Sequence, residues 1–218
     1  MSEDRKKIAN GTTRNKERTK QRMIDAVGEV LKEKGYAGLT INNIVKRANV
    51  DRKLVAHYFG NVNHLIDEYL YQRDYWMTKV APKLSAIISQ AEEHREQVIV
   101  SLLHTLYDEI SGSPDFQKIL SWQVSEYQDS LRNLVESRED LANVFFKITD
   151  SDFEGTDINF RAMCAILISG IYYLILSANV NGAPFCEIDI NTDEGRDAIK
   201  NSLSKMVSLI YNDIANKS

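Results

Sequence analysis

The chain has 218 residues, of which 43% are hydrophobic and 27% are charged, as in an ordinary folded globular protein. Only three prolines and ten glycines are present, which favours a helical architecture over one rich in turns. The two cysteines form neither a metal-ligand pattern nor a disulfide framework, so we expect two reduced thiols in a cytoplasmic protein. The first twenty residues are polar and basic, and no signal peptide is expected there.

The net charge of −4 conceals an asymmetry along the chain. Residues 1–60 carry 14 Lys and Arg against 7 Asp and Glu, whereas the remaining residues carry 13 against 24. A basic first part and an acidic remainder predict a nucleic-acid-binding module attached to a body that does not face nucleic acid. A chance cluster of solvated charges is the alternative.

The N-terminal residues predict a charged arm followed by a helix. Residues 1–15 are low in large apolar side chains, so we expect a mobile basic arm. A first helix is predicted from about Lys16 to Lys34, with Gly35 as its C-terminal stop. Five basic side chains in or near the arm could contact DNA or be solvated: Lys6, Lys7, Arg14, Lys16 and Arg18.

Residues 40–59 predict two short helices joined by a tight turn. Thr40 and Asp51 are suited to be N-caps, and Asn49 tolerates the left-handed conformation that ends the first helix. The second helix has one apolar side, with Arg52 and Lys53 largely on the remaining face. This is the layout of a helix-turn-helix whose second helix enters a DNA major groove.

The remainder predicts further helices and almost no strand, giving an all-α fold of about nine helices. A fourth helix begins near Asn61 or Asn63, Pro82 marks a break, and Gly112-Ser113-Pro114 forms a turn. The uncharged run 162–178 predicts a helix buried within the protein or between subunits, with a membrane span as the alternative. A last helix begins at Thr192 or Asp193.

Residues 19–70 resemble the TetR family of bacterial transcriptional regulators, which usually have Ala-Gly-Val-Ser in the turn. The resemblance rests on these segments: Lys34-Gly35-Tyr36, Leu39-Thr40, Ile44-Val45, Ala48-Asn49-Val50-Asp51, Tyr58-Phe59-Gly60-Asn61 and Leu65. It implies a homodimer formed by the last two helices, a small-molecule pocket in each body, and a near-palindromic operator. We therefore assign 1–15 to the arm, 16–62 to a helix-turn-helix DNA-binding domain, and 63–218 to a larger helical effector-binding and dimerisation domain.

The resulting hypothesis is a ligand-responsive DNA-binding transcriptional regulator, namely a repressor that a small molecule releases from a palindromic operator. The chain departs from the family at Ala56, where a tyrosine is usual, and at Val62, where a lysine is usual. Both usual residues hold phosphates in the family. The alternative is therefore a dimeric helical protein that binds a ligand or a protein and has weakened or lost specific DNA binding.

Candidate site residues follow from the predicted faces and from the resemblance. The predicted DNA-binding residues are Thr40, Lys46, Arg47, Asn49, Arg52, Lys53, Leu54, His57 and Tyr58. Aromatic residues mixed with a few polar groups suit a small-molecule pocket, although each is otherwise a core residue. The effector-pocket candidates are Trp76, His104, Tyr107, Trp122, Glu126 and Tyr172. The dimer-interface candidates are Ile166, Ile171, Leu174, Leu203, Met206 and Ile210.

No pattern in the sequence indicates an enzyme, a cofactor or a metal. The chain has no glycine-rich phosphate loop, no Gly-x-Ser-x-Gly elbow and no His-Glu-x-x-His. His104 lacks a second ligand at helical spacing, so a metal site is not expected there. The predicted partners are double-stranded DNA, a small-molecule effector and a second copy of the chain.

Overall fold

The computed structural model describes residues 2–217, with side chains described for residues 15–216. The described residues form nine α-helices and no strand beyond one isolated bridge between Phe185 and Ile188. The all-α prediction is therefore confirmed. The helices are α1 (Ser2–Lys34), α2 (Ile41–Ala48), α3 (Arg52–Phe59), α4 (Val62–Arg73), α5 (Leu84–Gly112), α6 (Pro114–Ser125), α7 (Asp129–Phe153), α8 (Phe160–Asn181) and α9 (Asp193–Lys217).

The helices divide into two compact units. The first unit is Met1–Arg73 with Glu126–Leu134, and the second is Asp74–Ser125 with Val135–Ser218. Helix α4 belongs to the first unit, whereas the sequence placed the domain boundary before it. Asp74 directly follows α4 and is the first residue of the second unit.

In the first unit, α1 packs against α2 and α4 around a buried apolar core. A Cβ on Gly28 would lie 2.8 Å from the ring of Tyr69, so glycine allows α1 and α4 to approach closely. Gly35 adopts φ 65° immediately after α1, as the predicted stop requires. Helix α1 includes residues 2–15, where the sequence predicted a mobile arm, and the side chains of Lys6, Lys7 and Arg14 lie outside the described residues.

The second unit contains a larger core built mainly from α5, α6, α8 and α9. A π-helical segment (Trp76–Val80) and a short 3-10 turn at Pro82 separate α4 from α5, which confirms the break predicted there. Helix α5 bends at His94, where φ is −136°, between the two helices that the sequence predicted. The predicted turn at Ser113 is also confirmed, because its hydroxyl accepts a hydrogen bond from the Phe116 backbone N–H at 3.2 Å.

Helix α8 is long and apolar enough to cross a membrane, by length and composition alone. One such helix is weak evidence, because core helices of soluble proteins have the same composition. One side of α8 packs on the core through residues such as Ile171 and Ile175, whereas Ile166 and Tyr173 face outwards. The helix is therefore apolar all round, but only one side is covered within the chain.

Candidate functional sites

The α2–α3 turn is fixed by interactions between residues close in sequence. The Thr40 hydroxyl accepts a hydrogen bond from the Asn43 backbone N–H at 3.3 Å, and the Asp51 carboxylate accepts one from the Lys53 backbone N–H at 2.7 Å. Between the two caps, Asn49 adopts φ 50° and ψ 57°, the left-handed conformation. Both predicted N-caps and the predicted turn conformation are confirmed.

The beginning of α3 presents cations that no described residue neutralises. Arg52 and Lys53 occupy its first turn and are exposed, and His57 is exposed one turn later. Neither Arg52 nor Lys53 forms an ion pair with another described side chain, and the same holds for Lys46 on α2. A cation in the first turn of a helix opposes the helix dipole, so these positions suit an external anion.

Arg47 differs from its neighbour Lys46, although both are exposed on α2. The Arg47 guanidinium forms ion pairs with two carboxylates of α1, with Nη1 3.6 Å from Glu29 Oε2 and Nη2 against Glu33. The charge of Arg47 is therefore compensated within the first unit. Sequence reasoning placed Lys46 and Arg47 together because it could not locate the two glutamates.

The other predicted DNA-binding residues lie on the same α2–α3 segment. Thr40 and Asn49 are exposed, whereas Leu54 and Tyr58 are half-buried. The Lys16 ammonium of α1 lies 5.8 Å from the centre of the Tyr58 ring, within the range of a cation–π contact. This contact adds a basic group from α1 beside α3.

His64, in the first turn of α4, is a candidate that the sequence did not single out. Its backbone N–H donates to the Asn61 side chain at 2.9 Å, and its Nδ1 lies 2.9 Å from the Phe59 carbonyl oxygen. Because a carbonyl only accepts, Nδ1 carries the hydrogen of this bond. The exposed ring is thereby held where α3 ends and α4 begins, close to Val62. The available sequence signal was Asn61, which suits a cap, three positions before His64.

The second unit contains a partly open cavity of about 290 Å³. Its wall is mostly apolar and aromatic, with contributions from the π-helical segment and from α5, α6, α7 and α8. The polar residues of the wall are Gln123, Arg138, Glu139, Ser169 and Tyr172. A largely apolar cavity with a few convergent polar groups is the usual form of a small-molecule site.

A buried polar network forms one side of this cavity. Asp74 is fully buried, and its Oδ2 accepts hydrogen bonds from Nε of Arg138 at 2.8 Å and from Nη2. Arg138 Nη1 also donates to Gln123 Oε1 at 2.8 Å. The other oxygen of Asp74 accepts the Met77 backbone N–H at 3.0 Å, so the same carboxylate fixes the chain directly after α4.

Two of the six predicted effector-pocket residues line the cavity. Trp76 and Tyr172 do so, and the indole Nε1 donates to the Tyr172 hydroxyl at 3.0 Å. The other four lie elsewhere. Tyr107 and Trp122 are buried core residues, His104 contacts the Lys200 carbonyl and the Ser204 hydroxyl of α9, and Glu126 is exposed in the first unit.

Arg138 is a polar cavity residue that sequence reasoning missed. Arg138 lies 64 residues from Asp74 and 15 from Gln123, so no local spacing marks the network. An arginine in a helix predicts a solvated residue unless its buried partner is known.

The predicted dimer residues separate into inward and outward positions on α8 and α9. Ile171 and Leu203 are buried within the chain, and Leu174 and Ile210 are half-buried. Ile166 and Met206 are outward, with 71% and 49% of their surface exposed. Three further exposed apolar residues accompany them on the same two helices: Tyr173, Val180 and Leu209.

Within the described part of the chain, no group of three or more His, Cys, Asp or Glu side chains is placed to hold a metal ion. Cys164 lines the cavity, and burial raises the pKa of its thiol to about 12, so it stays protonated at neutral pH. Cys186 is exposed on the loop between α8 and α9.

Comparison with known proteins gives consistent similarities. Residues 23–69 match the family model described as bacterial regulatory proteins, tetR family. The HTH-type transcriptional regulator BetI of Burkholderia thailandensis is 25% identical over 169 residues, which cover 75% of this chain and 83% of the relative. The protein of the same name from Burkholderia mallei is 28% identical over 116 residues, 51% of this chain and 57% of the relative.

Among solved structures, the transcriptional regulator FadR from Bacillus subtilis, in complex with stearoyl-CoA, is similar in fold. It has a TM-score of 0.57 and 16% sequence identity, and the match covers 86% of this chain and 96% of that chain. The similarity therefore extends over both units of the chain, and at this identity it concerns the fold. Together with the capped helix-turn-helix of α2 and α3, these findings show a tetR-type DNA-binding module at residues 23–69 and a chain similar to TetR-family transcriptional regulators.

Proposed function

We propose that the protein is a cytoplasmic homodimeric repressor that leaves a near-palindromic operator when a small molecule fills the cavity of the second unit. The observation that carries the proposal is the pair of exposed, uncompensated cations, Arg52 and Lys53, at the capped start of α3. The partly open cavity in the other unit supplies a place for the effector.

The DNA contacts that we assign to α2 and α3 follow from side-chain chemistry. Arg52 and Lys53 suit phosphate oxygens or the O6 and N7 atoms of guanine. Lys46, Thr40 and His57 suit phosphates at the edges of the groove. Asn49, Leu54 and Tyr58 would support the contact surface. Arg47 contributes less to binding, because two glutamates already compensate its charge.

The outward apolar positions of α8 and α9 support the dimer. Ile166, Tyr173 and Met206 would be covered by the same residues of a second copy, as a two-fold interface requires. The partly buried Leu174 and Ile210 would border this interface, whereas Ile171 and Leu203 support it from inside each chain. Two copies of α3 would then occupy successive major grooves of a near-palindromic site.

The effector would act through its difference in affinity between a DNA-competent and a DNA-incompetent arrangement. Asp74 is suited to couple the cavity to α4, because it binds Arg138 in the cavity wall and caps the segment that directly follows α4. The cavity volume of about 290 Å³ is much smaller than the volume of a stearoyl-CoA molecule, which is bound in the similar FadR structure. A smaller effector is therefore expected for this chain.

A second candidate function is a dimeric ligand- or protein-binding protein with weakened specific DNA binding. It is favoured by Ala56, which is exposed on α3 and leaves its surface without a side chain that can hold a phosphate. The ion pairs of Arg47 with Glu29 and Glu33 also weaken DNA binding, because they compensate a cation of α2 within the chain. This candidate predicts weak and equal affinity for all DNA sequences, with an intact dimer.

The two candidates are separated by measuring binding to the DNA upstream of the protein's own gene and to a shuffled duplex of equal length over a range of salt concentrations. The repressor should prefer the native duplex by about a thousandfold or more, with a steep salt dependence. Arg52→Ala and Lys53→Ala should each reduce the salt slope by about one. Lys147→Ala, which removes an exposed cation of the second unit, is the matched control and should leave the slope unchanged. Equal affinity for both duplexes would contradict the repressor and support the second candidate.

A further inference from the structure

Three polar side chains of the cavity wall, Arg138, Gln123 and Tyr172, share one property, which is that each has a hydrogen-bond donor still unused. Arg138 directs Nε and Nη2 to Asp74 and Nη1 to the oxygen of Gln123. Since an arginine has no acceptor, the oxygen of the Gln123 amide must face it. The two N–H groups of Gln123 are then left, and no described residue accepts a hydrogen bond from them.

Tyr172 has the same bias. Its hydroxyl oxygen accepts from the Trp76 indole at 3.0 Å, so the hydroxyl proton is the part of the group still available. Asp74 compensates the charge of Arg138, but two N–H groups of the guanidinium remain beyond the three bonds it makes, so Arg138 contributes as a hydrogen-bond donor. Three side chains of the wall therefore offer donors, and a ligand that supplies acceptors would satisfy them.

Charge and space narrow the class of ligand. Hydrogen bonds to a charged acceptor are about twice as strong as neutral ones, which favours a carboxylate over an amide or an alcohol. Glu139 is the other charged residue of the wall, but it is exposed, so solvent screens its charge. If each non-hydrogen atom of a ligand takes about the 30 Å³ that one water molecule occupies in the liquid, a cavity of about 290 Å³ holds on the order of ten such atoms.

We propose that the effector is a small monocarboxylate with an apolar body of about ten non-hydrogen atoms. Its carboxylate accepts hydrogen bonds from Arg138, from the amide of Gln123 and from the hydroxyl of Tyr172. The apolar body lies against the remaining wall, which includes Leu102, Phe145 and Ile168. This inference rests on the proposed function, because it names the ligand class of the same cavity.

The test is isothermal titration of the full-length protein, without DNA, with octanoate, octanamide and octylamine, which share one apolar chain. Octanoate should bind one site per chain at least tenfold more tightly than octanamide, and octylamine should not saturate. Equal affinity for octanoate and octanamide, or tighter binding of octylamine, would overturn the proposal. So would the absence of saturable binding by hexanoate, octanoate, decanoate and 3-phenylpropanoate alike.

Gln123→Glu is the sharpest variant, because it keeps the acceptor for Arg138 and replaces the two donors by a second acceptor. It should lower the octanoate affinity at least tenfold and allow octylamine to bind. Gln97→Glu adds the same charge at an exposed position of α5 and should change neither affinity. Tyr172→Phe should weaken octanoate binding several-fold. Circular dichroism checks that each variant is folded. Unchanged octanoate affinity in folded Gln123→Glu overturns the proposal.

The two proposals fail differently. If octanoate binds as expected but leaves the operator complex intact, the proposed ligand class is supported and the proposed release from DNA by this ligand is contradicted. If an uncharged or cationic molecule fills the cavity and releases the operator, the proposed repressor function is supported and the proposed monocarboxylate class is contradicted.

Discussion

The α2–α3 segment and the cavity differ in how far along the chain their determinants lie. The contacts that fix α2–α3 are local. Thr40 caps the backbone N–H of Asn43, three positions away, and Asp51 caps the backbone N–H of Lys53, two positions away. The polar side of the cavity joins Asp74 to Arg138 across 64 residues. Local contacts depend only on residues that are close in sequence, whereas the cavity exists only after α5 to α8 are packed. The α2–α3 segment can therefore be predicted from the sequence, whereas the cavity cannot.

The two regions also use charge differently. The cations at the start of α3 are exposed and form no ion pair with a described residue, so they are available to bind an external anion. Arg138 is nearly buried, its charge is compensated by Asp74, and three of its N–H groups are bonded to Asp74 and Gln123. Removing an exposed charge should change binding and leave stability intact, whereas removing the buried one should change stability first.

The largest expected effect is the loss of stability in Arg138→Ala. The variant leaves the carboxylate of Asp74 buried without its partner, which costs about 3–5 kcal/mol in the free energy of unfolding. Urea unfolding followed by circular dichroism measures the change. Arg161→Ala is the control, since its ion pair with Asp150 is exposed and should contribute little. Equal stability of the two variants would contradict the distinction between a buried and an exposed pair.

A second effect in the same unit concerns alkaline pH. Burial, with a smaller contribution from Glu109, raises the pKa of Tyr75 from 10.0 to about 12. The unfolded chain therefore loses this proton at a lower pH than the folded one. The stability contributed by neutral Tyr75 is fully present below pH 10 and is lost between about pH 10 and 12, on the order of 2 kcal/mol.

Comparing the unfolding midpoints of wild type and Tyr75→Phe at pH 9 and pH 11 tests this expectation. The variant should lose less stability than wild type between the two pH values. Tyr71→Phe is the control, because Tyr71 is about half exposed, and it should follow wild type. A wild type that is as stable at pH 11 as at pH 9 would show that Tyr75 titrates normally.

The same contrast explains how much could be predicted from the sequence. The caps Thr40 and Asp51 and the left-handed Asn49 were predictable, because each depends on residues within a few positions. The all-α fold followed from apolar spacing and turn residues. Trp76 and Tyr172 were named as pocket candidates because they are aromatic and polar, but Tyr107 and Trp122 have the same character and lie in the core. Only the packing of the helices distinguishes them.

Helices α8 and α9 were predictable as elements, but not in their orientation. Ile171 and Leu203 face the chain's own core, whereas Ile166 and Met206 face outwards. An all-apolar helix gives no amphipathic pattern from which the two sides could be separated. The α5 and α7 side chains that face α8 decide which positions are buried, and those contacts are long-range.

A smaller effect is expected from the local contacts of the first unit. Asp51→Ala removes the N-cap of α3 and should cost about 1 kcal/mol of stability. Asp51→Asn retains the capping oxygen and should restore most of it. Urea unfolding measures both variants. A loss as large as that of Arg138→Ala would mean that the α2–α3 segment depends on more than its local caps.

The smallest expected effect distinguishes two neighbouring cations of α2. Lys46 has no described ion-pair partner, whereas Arg47 is paired with Glu29 and Glu33. If both contact DNA only through phosphate, Lys46→Ala should reduce the salt slope of binding by about one, and Arg47→Ala by clearly less. The reason is that Arg47 must give up two internal partners before it can neutralise a phosphate.

The double variant Glu29→Gln/Glu33→Gln completes this comparison. It frees Arg47 without altering the size of any side chain, so it should strengthen DNA binding and make its salt dependence steeper. In that background, Arg47→Ala should become as costly as Lys46→Ala. If Lys46→Ala and Arg47→Ala reduce the salt slope of DNA binding equally in the native background, the ion pairs with α1 do not restrain Arg47. The exposure of a cation would then be enough to determine whether it contacts phosphate.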